Sequence, residues 1–307
     1  MIKTRKSNPN KPYRLLVYGV EGVGKSTFAA NAEKPIFISA EGGTDRIKKK
    51  GGVDEMENIK SWDDVLRAVD ELTNDTHGFK TVVLDSADWL EGLAHEKILA
   101  GQSKTITTVD GGYGSGYRKT QNMFQELVKK LSHLRDKKHM NVIFVAHAHV
   151  RPVKDPTLPE HDQFEIKLHE MPSSIIREWV DGVFFVRFKM FVQAESGRAF
   201  SDGTRALYTV RDAGYQAKNR FDMPPEFEFT TDIWKELMPY IKSGPVAQDE
   251  KPAEDTLSEI NRLISELKDE KLKKTVQETT TKAGDDKTKL AKILERLQTL
   301  TKNKGDA

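Results

Sequence analysis

Residues Gly19, Val20, Glu21, Gly22, Val23, Gly24, Lys25 and Ser26 spell G-x-x-x-x-G-K-S, with Thr27 next in line. The preceding run, RLLVYG from Arg14 to Gly19, reads as a short buried strand, and Lys25 to Ala32 reads as the helix that follows. Glycines in such a loop let the chain wrap so that successive N–H groups point inward at phosphate oxygens. Lys25 then supplies charge at the β- and γ-phosphates, Ser26 a hydroxyl for Mg²⁺, and the helix start a partial positive charge. A glycine-rich turn with no ligand is the plain alternative, and the strand–loop–helix placement argues against it.

The same alternation continues along the chain. PIFIS (Pro35 to Ser39), TVVLD (Thr81 to Asp85) and NVIFVA (Asn141 to Ala146) are apolar runs of strand length. Helical patterns separate them: one opened by Ser61 with Asp64 as a capping pair, one over Ser86 to Leu99, and one carrying Phe124, Leu127, Val128, Leu131 and Leu134. Strands apolar on both faces, alternating with helices, predict an α/β fold with a mostly parallel sheet covered on both sides. After His147 the texture changes. Ala148 to Pro172 is polar and fits a long loop or hairpin, and Val183 to Val192 with Arg205 to Arg211 predicts antiparallel late strands around the turn SGRAFSDG. The boundaries expected are a basic arm over 1–13, a core over 14–242, an acidic linker over 243–256 and two amphipathic helices over 257–307.

Composition excludes several chemistries. There is no cysteine, so disulfides, thiolate zinc sites, iron–sulfur clusters and cysteine nucleophiles are ruled out. No stretch reaches the roughly 20 apolar residues a membrane helix needs, and the basic start lacks the apolar run of a secretory signal. A cytoplasmic protein without membrane partners is the expectation. Net charge is +2 over 307 residues, so a nucleic-acid partner would have to be held by local basic stripes.

Three further positions bear on phosphate chemistry. Asp85 ends TVVLD, where a carboxylate holds the metal or its water shell, although a helix N-cap is the bland alternative. Asp88 reads as an ordinary residue of the next helix's first turn. Glu41, after PIFIS, is placed to orient or deprotonate a water, and is equally compatible with a surface loop. His147, ending NVIFVAH, is as compatible with a γ-phosphate sensor as with a loop histidine. His147 and His149 form an H-x-H that lacks the further ligands of a metal site.

Taken in order, GVEGVGKST, FISAEGG, VVLDSADWL, VIFVAHAHV and YTVRDAGYQAKNRF resemble the RecA-like recombinase core over about residues 12 to 242. Within it the chain looks most like the short phage proteins of the Sak type, ATP-binding single-strand annealing proteins, a likeness strengthened by GYGSGY and AKNRF. The resemblance implies a RecA-like P-loop ATPase with a short C-terminal helical appendage, using ATP and Mg²⁺. Lys25 and Ser26 would bind phosphate and metal, Asp85 the metal, and Glu41 would be the catalytic carboxylate. His147 takes a position where RecA-type proteins usually carry glutamine. Lys218 and Arg220 resemble the cationic pair that a neighbouring subunit inserts at the γ-phosphate; without the family they read as a solvated surface pair. Two loops would face single-stranded DNA, one over Gly101–Gly116 with Lys104, Tyr113 and, just beyond, Tyr117 and Arg118, and one over Ala148–Pro172 with His149, Arg151 and Lys154. Cations beside aromatics suit sequence-tolerant single-strand binding, and are also common in any solvated loop. The expected role is annealing or strand exchange in phage recombination and repair, in a filament or ring. The C-terminal helices would self-pack, assemble subunits or dock a single-strand-binding protein. A helicase or helicase loader, a small-molecule kinase and a nucleotide switch without turnover are the rival classes.

Overall fold

The computed structural model describes residues 11–243, apart from 48, 50, 155 and 194–197, and a few helical positions between 260 and 280. The chain divides into two compact units, Met1–Pro245 and Val246–Ala307. Residues 1–10 of the expected basic arm, the linker beyond Ser243 and most of the C-terminal helical pair lie outside the described residues.

Twelve strands and six α-helices make up the described part of the first unit. The strands are β1 (Arg14–Gly19), β2 (Pro35–Ser39), β3 (Asp54–Glu55), β4 (Thr81–Asp85), β5 (Asn141–Val153), β6 (His161–Ile166), β7 (Gly182–Phe188), β8 (Phe191–Val192), β9 (Ala199–Phe200), β10 (Arg205–Tyr208), β11 (Lys218–Asn219) and β12 (Glu226–Glu228). The helices are α1 (Lys25–Ala30), α2 (Trp62–Asn74), α3 (Ala87–Leu99), α4 (Ser115–Lys138), α5 (Glu170–Trp179) and α6 (Ile233–Ser243).

The main sheet runs β12-β10-β7-β1-β5-β4-β2-β3, parallel from β7 through β3, with β10 and β12 antiparallel at one side. This is the mostly parallel α/β core that the sequence predicts, with the glycine loop at the end of a central strand. Because both faces are covered, alternate residues of one strand enter different cores. Leu16 and Tyr18 of β1 pack with Val82 and Leu84 of β4 and with Phe124, Leu127, Leu131 and Leu134 of α4. Leu15 and Val17 face the other way, joining Phe28 of α1 and Trp234 and Leu237 of α6. The Trp234 ring stacks 4.6 Å from Phe28, and its Nε1 donates to the Phe28 carbonyl at 2.8 Å. Burying each of these large apolar side chains contributes roughly 1.5–3 kcal/mol.

Helix starts follow local chemistry. Ser61 caps α2, its hydroxyl accepting the Asp64 N–H at 3.2 Å. The stretch after His147 forms a hairpin: β5 continues to Val153 and pairs antiparallel with β6, Ala148 opposite Ile166 and Val153 opposite His161. The late strands are antiparallel as expected, Phe188 opposite Arg205, with the small β8–β9 hairpin between them. At the strands' amino ends Asp181 accepts from the Arg14 side chain and from its backbone N–H at 3.1 Å, which pins β1 to β7.

Candidate nucleotide site

Register brings the site together. Gly19 ends β1 opposite His147 of β5 on one side and Val186 of β7 on the other. Asp85 ends β4 opposite Ser39 of β2 and Val145 of β5. Since β5 lies between β1 and β4, His147 falls between the Gly19 loop and Asp85. All of this lies at the carboxyl edge of the parallel strands, where open α/β sheets hold ligands.

The loop has the backbone its glycines permit. Gly22 and Gly24 have φ of +71° and +105°, a region that disfavours any side chain. Val23 between them is fully buried and anchors the loop. Lys25 opens α1, is 6% exposed, and donates from Nζ to the carbonyls of Gly19 at 3.1 Å and Val20 at 2.9 Å. A cleft of about 310 Å³ opens here, lined by Gly22, Gly24, Lys25, Ser26, Thr27 and Ser39, and by Glu41, Arg46, Asp85 and His147 among others. Lys25, Ser26, Glu41, Asp85 and His147, each singled out from the sequence, thus share one cavity.

Electrostatics in the cleft are finely opposed. Burial lowers the Lys25 pKa, against the carboxylates of Asp85, Asp88, Glu41 and Glu21 that favour its charged form. Burial raises the Asp85 carboxyl, with Glu41 adding to the rise while the Ser26 hydroxyl and Lys25 oppose it. A hydroxyl hydrogen-bonded to a buried carboxylate is a hard oxygen pair of the kind Mg²⁺ takes, so Ser26 and Asp85 fit that ion. Among the described residues no group of three or more histidine, aspartate or glutamate side chains is arranged to hold a metal by itself.

Four residues with no distinctive sequence signal also belong to this region. Asp88 is in the first turn of α3, as the sequence predicts, but it also accepts from His147 at two points: the backbone N–H at 3.1 Å and the ring Nδ1 at 2.9 Å. That contact raises the His147 pKa against burial. Arg205, from β10, donates to the Val23 carbonyl at 3.0 Å and lies over the Phe229 ring, bracing the loop from behind. Arg46 adds a cation to the cleft wall. Glu91, one turn along α3 from Asp88, accepts the His169 N–H at 3.1 Å and is pushed up to about 7 by burial.

Glu91 gives a pH prediction. Its folded pKa lies above the unfolded value of 4.5, so the folded state holds the extra proton between about 4.5 and about 7. Stability therefore falls as pH rises through that window, by up to about 3 kcal/mol. Glu91→Gln stays neutral and should flatten this dependence. Urea unfolding of both proteins near pH 5 and near pH 7.5 checks it.

The remaining expected residues lie elsewhere. Tyr113 is 98% exposed in the glycine-rich loop before α4, with Lys104 also exposed and Arg118 reaching back to the Tyr113 carbonyl. Tyr117, in the first turn of α4, stacks 3.7 Å from the His169 ring, so one face of it is already covered. His149 and Arg151 lie on the β5 arm of the hairpin, Arg151 within 3.4 Å of Glu165, and Lys154 is just beyond Val153. Lys218 and Arg220 are at the opposite edge of the sheet from the cleft, beside the start of β7. Lys218 donates to the carbonyls of Arg177, Glu178 and Val180 at the end of α5, and Arg220 lies 3.6 Å from Asp181.

A glycine loop with a buried lysine, a metal-competent Ser–Asp pair and a carboxyl-edge cleft define a P-loop ATPase domain. A family model described as an AAA domain matches residues 11–221, and the chain belongs to that family. No curated protein matches it. Among solved structures, one titled "Crystal structure of the RadB recombinase" is similar at 15% identity and a TM-score of 0.39, over 72% of this chain and 89% of that one.

Proposed function

We propose that this chain hydrolyses ATP in the Lys25 cleft and uses the nucleotide cycle to bind and release single-stranded DNA, promoting annealing or strand exchange. The observation that carries the ATPase part is the convergence of Lys25, Ser26, Glu41, Asp85 and His147 on one cavity. Lys25 and the loop amides, from Gly19 to Thr27, hold the phosphates. Ser26 and Asp85 hold Mg²⁺, which when bound neutralises charge on the phosphate oxygens. Glu41 orients the attacking water and takes its proton, and His147 reads the terminal phosphate. Because charge builds on the transferring group, a cation brought by a second subunit would accelerate the step. Lys218 and Arg220 serve that role in an assembled form that loosens Lys218 from the α5 carbonyls.

The DNA part rests on Tyr113, an aromatic ring left almost wholly in solvent on a loop that also carries Lys104 and leads into the first turn of α4, where Arg118 lies. A base stacked on such an exposed ring is worth about 1–3 kcal/mol. Arg151, Lys154 and His149 on the β5–β6 hairpin add phosphate contacts, and Tyr117 supports the loop from its stack on His169. A phage source, a homo-oligomeric filament or ring, and a single-strand-binding protein docked through residues beyond Ser243 belong to the same reading. Anisotropy of a labelled single-stranded oligonucleotide, with ATP and Mg²⁺, tests it. Tyr113→Ala should weaken binding by about 5- to 150-fold, the range that stacking energy implies. Undiminished DNA binding by Tyr113→Ala together with Lys104→Ala would remove the loop from the interface, and no binding by the wild type would reject the DNA role.

A further inference from the structure

The contact between Asp88 and His147 goes beyond what the P-loop class requires, and its consequence for turnover rests on the ATPase function proposed for the cleft. Asp88 is placed by two facts of topology. Strand β4 pairs with β5, Asp85 opposite Val145, and α3 begins directly after β4. One helical turn beyond Asp85 therefore comes level with the residue two places beyond Val145, which is His147. The Asp88 carboxylate spends one oxygen on the His147 backbone N–H and the other on ring Nδ1. Both side chains are mostly covered, 11% and 16% exposed. Ring Nε2 has no hydrogen-bond partner among the described residues, and the side chain lines the cleft.

We propose that Asp88 is a positioning residue for hydrolysis, clamping His147 at two atoms so that Nε2 alone is offered to the terminal phosphate. A carboxylate only accepts hydrogen bonds, so Nδ1 must carry a proton while the clamp holds, and Nε2 must carry one too in order to donate to a phosphate oxygen. The clamped ring meets the phosphate as the imidazolium that Asp88 stabilises. The backbone contact fixes the strand end and the ring contact fixes the imidazole's rotation, so Nε2 has one direction left. Burial would raise the Asp88 pKa, but the bonds from His147 outweigh it, and the group stays an anion. The charged groups that surround the imidazole are Lys25 from α1, Glu41 from the loop after β2, Asp85 from β4 and Asp88 itself from α3. No other carboxylate among the described residues is bonded to Nδ1, so the orientation depends on Asp88.

Asp88→Asn tests this with little change of shape. An amide can keep the backbone contact through its oxygen, but its NH₂ then faces Nδ1 and requires that atom to accept. The proton moves to Nε2 and the ring can no longer hold two. Expected is a kcat for ATP lowered about 10- to 100-fold, the usual cost of losing a group that orients another, with KM and ATP affinity within about twofold. His147→Ala should lose a similar amount, and the double variant should be no slower than His147→Ala alone, because one clamp cannot be broken twice. ¹⁵N spectra of the histidines should show His147 protonated at Nδ1 in the wild type and only at Nε2 in Asp88→Asn. Wild-type kcat in Asp88→Asn or in His147→Ala, losses that multiply in the double variant, or a wild-type Nδ1 without a proton would each overturn the inference. If Asp88→Asn does not fold, the His147→Ala rate and the wild-type spectrum still decide it. A wild type that binds ATP but does not turn it over would overturn the ATPase reading, whereas turnover insensitive to Asp88 would overturn this inference alone.

Discussion

Lys25→Ala should lower ATP turnover by about 10²- to 10³-fold and weaken ATP binding as well, while leaving the melting temperature within a few degrees of the wild type. The first effect follows from where the ammonium is. It is 6% exposed at the head of the loop, in the same cleft as Glu41, Asp85 and His147. A fixed charge in a site shielded from water is worth far more to a developing anion than the same charge in solvent, with single donors costing about 10²–10³ in kcat when removed. Lys25 also meets the phosphates in the ground state, so affinity falls too. The second effect follows from the sign of its pKa shift. Burial lowers it, which means that the charged form is held at a cost that the folded state bears when no anion is present. Deleting the side chain removes that cost along with two hydrogen bonds to loop carbonyls, and the two changes oppose each other. Isothermal titration with ATP, steady-state turnover and a thermal melt on the same sample separate them. A melt that collapsed with activity would mean that Lys25 holds the fold rather than the phosphate.

Gly19→Ala should do the reverse and cost fold stability in the first place. A Cβ at position 19 would lie 2.0 Å from the carbonyl oxygen and 3.0 Å from the carbonyl carbon of Val186. These are backbone atoms of β7, and Gly19 is held between β7 and β5 in the middle of the sheet, so nothing nearby can rotate away. Overpacking a tight core costs about 1–3 kcal/mol, and a clash with a central strand belongs at or above the upper end. For a domain of this size about 3 kcal/mol lowers the melting temperature by roughly 6–12 °C. Gly22→Ala is the useful contrast, because no atom lies within 4 Å of its Cβ and only its backbone angle is strained. Differential scanning calorimetry of the two variants checks the order; equal melting temperatures would mean that β1 and β7 can part at this point.

These two glycines also show how far the sequence could be read. The G-x-x-x-x-G-K-S spacing places Lys25 and Ser26 because consecutive residues of one loop have few ways to be arranged. Asp85, Glu41 and His147 were legible for a related reason: each sits where an apolar run stops, and in a parallel sheet the strands stop on the same edge. The Asp88 clamp was not legible. It depends on β5 inserting between β1 and β4, a pairing between segments about 60 residues apart, and first-turn acids are common on helices that make no such contact. Arg205 is 182 residues from the Val23 carbonyl it braces, and no local pattern distinguishes it from other strand arginines. Ala148 to Pro172 left loop and hairpin open because its alternation is weak. The pairing of β5 with β6 is settled by Phe164 and Ile166 finding the main core. Apart from the family likeness that made it a cation for the γ-phosphate, Lys218 reads as a solvated surface residue, since the three carbonyls that receive it come from the end of a helix about 40 residues earlier.

The most direct measurement is steady-state ATP hydrolysis by the wild-type chain with Mg²⁺, with and without single-stranded DNA, beside Glu41→Gln. Turnover that rises with DNA and is lost in Glu41→Gln, with ATP still bound, is the result predicted. Wild-type protein that binds ATP but releases no phosphate under either condition would contradict it.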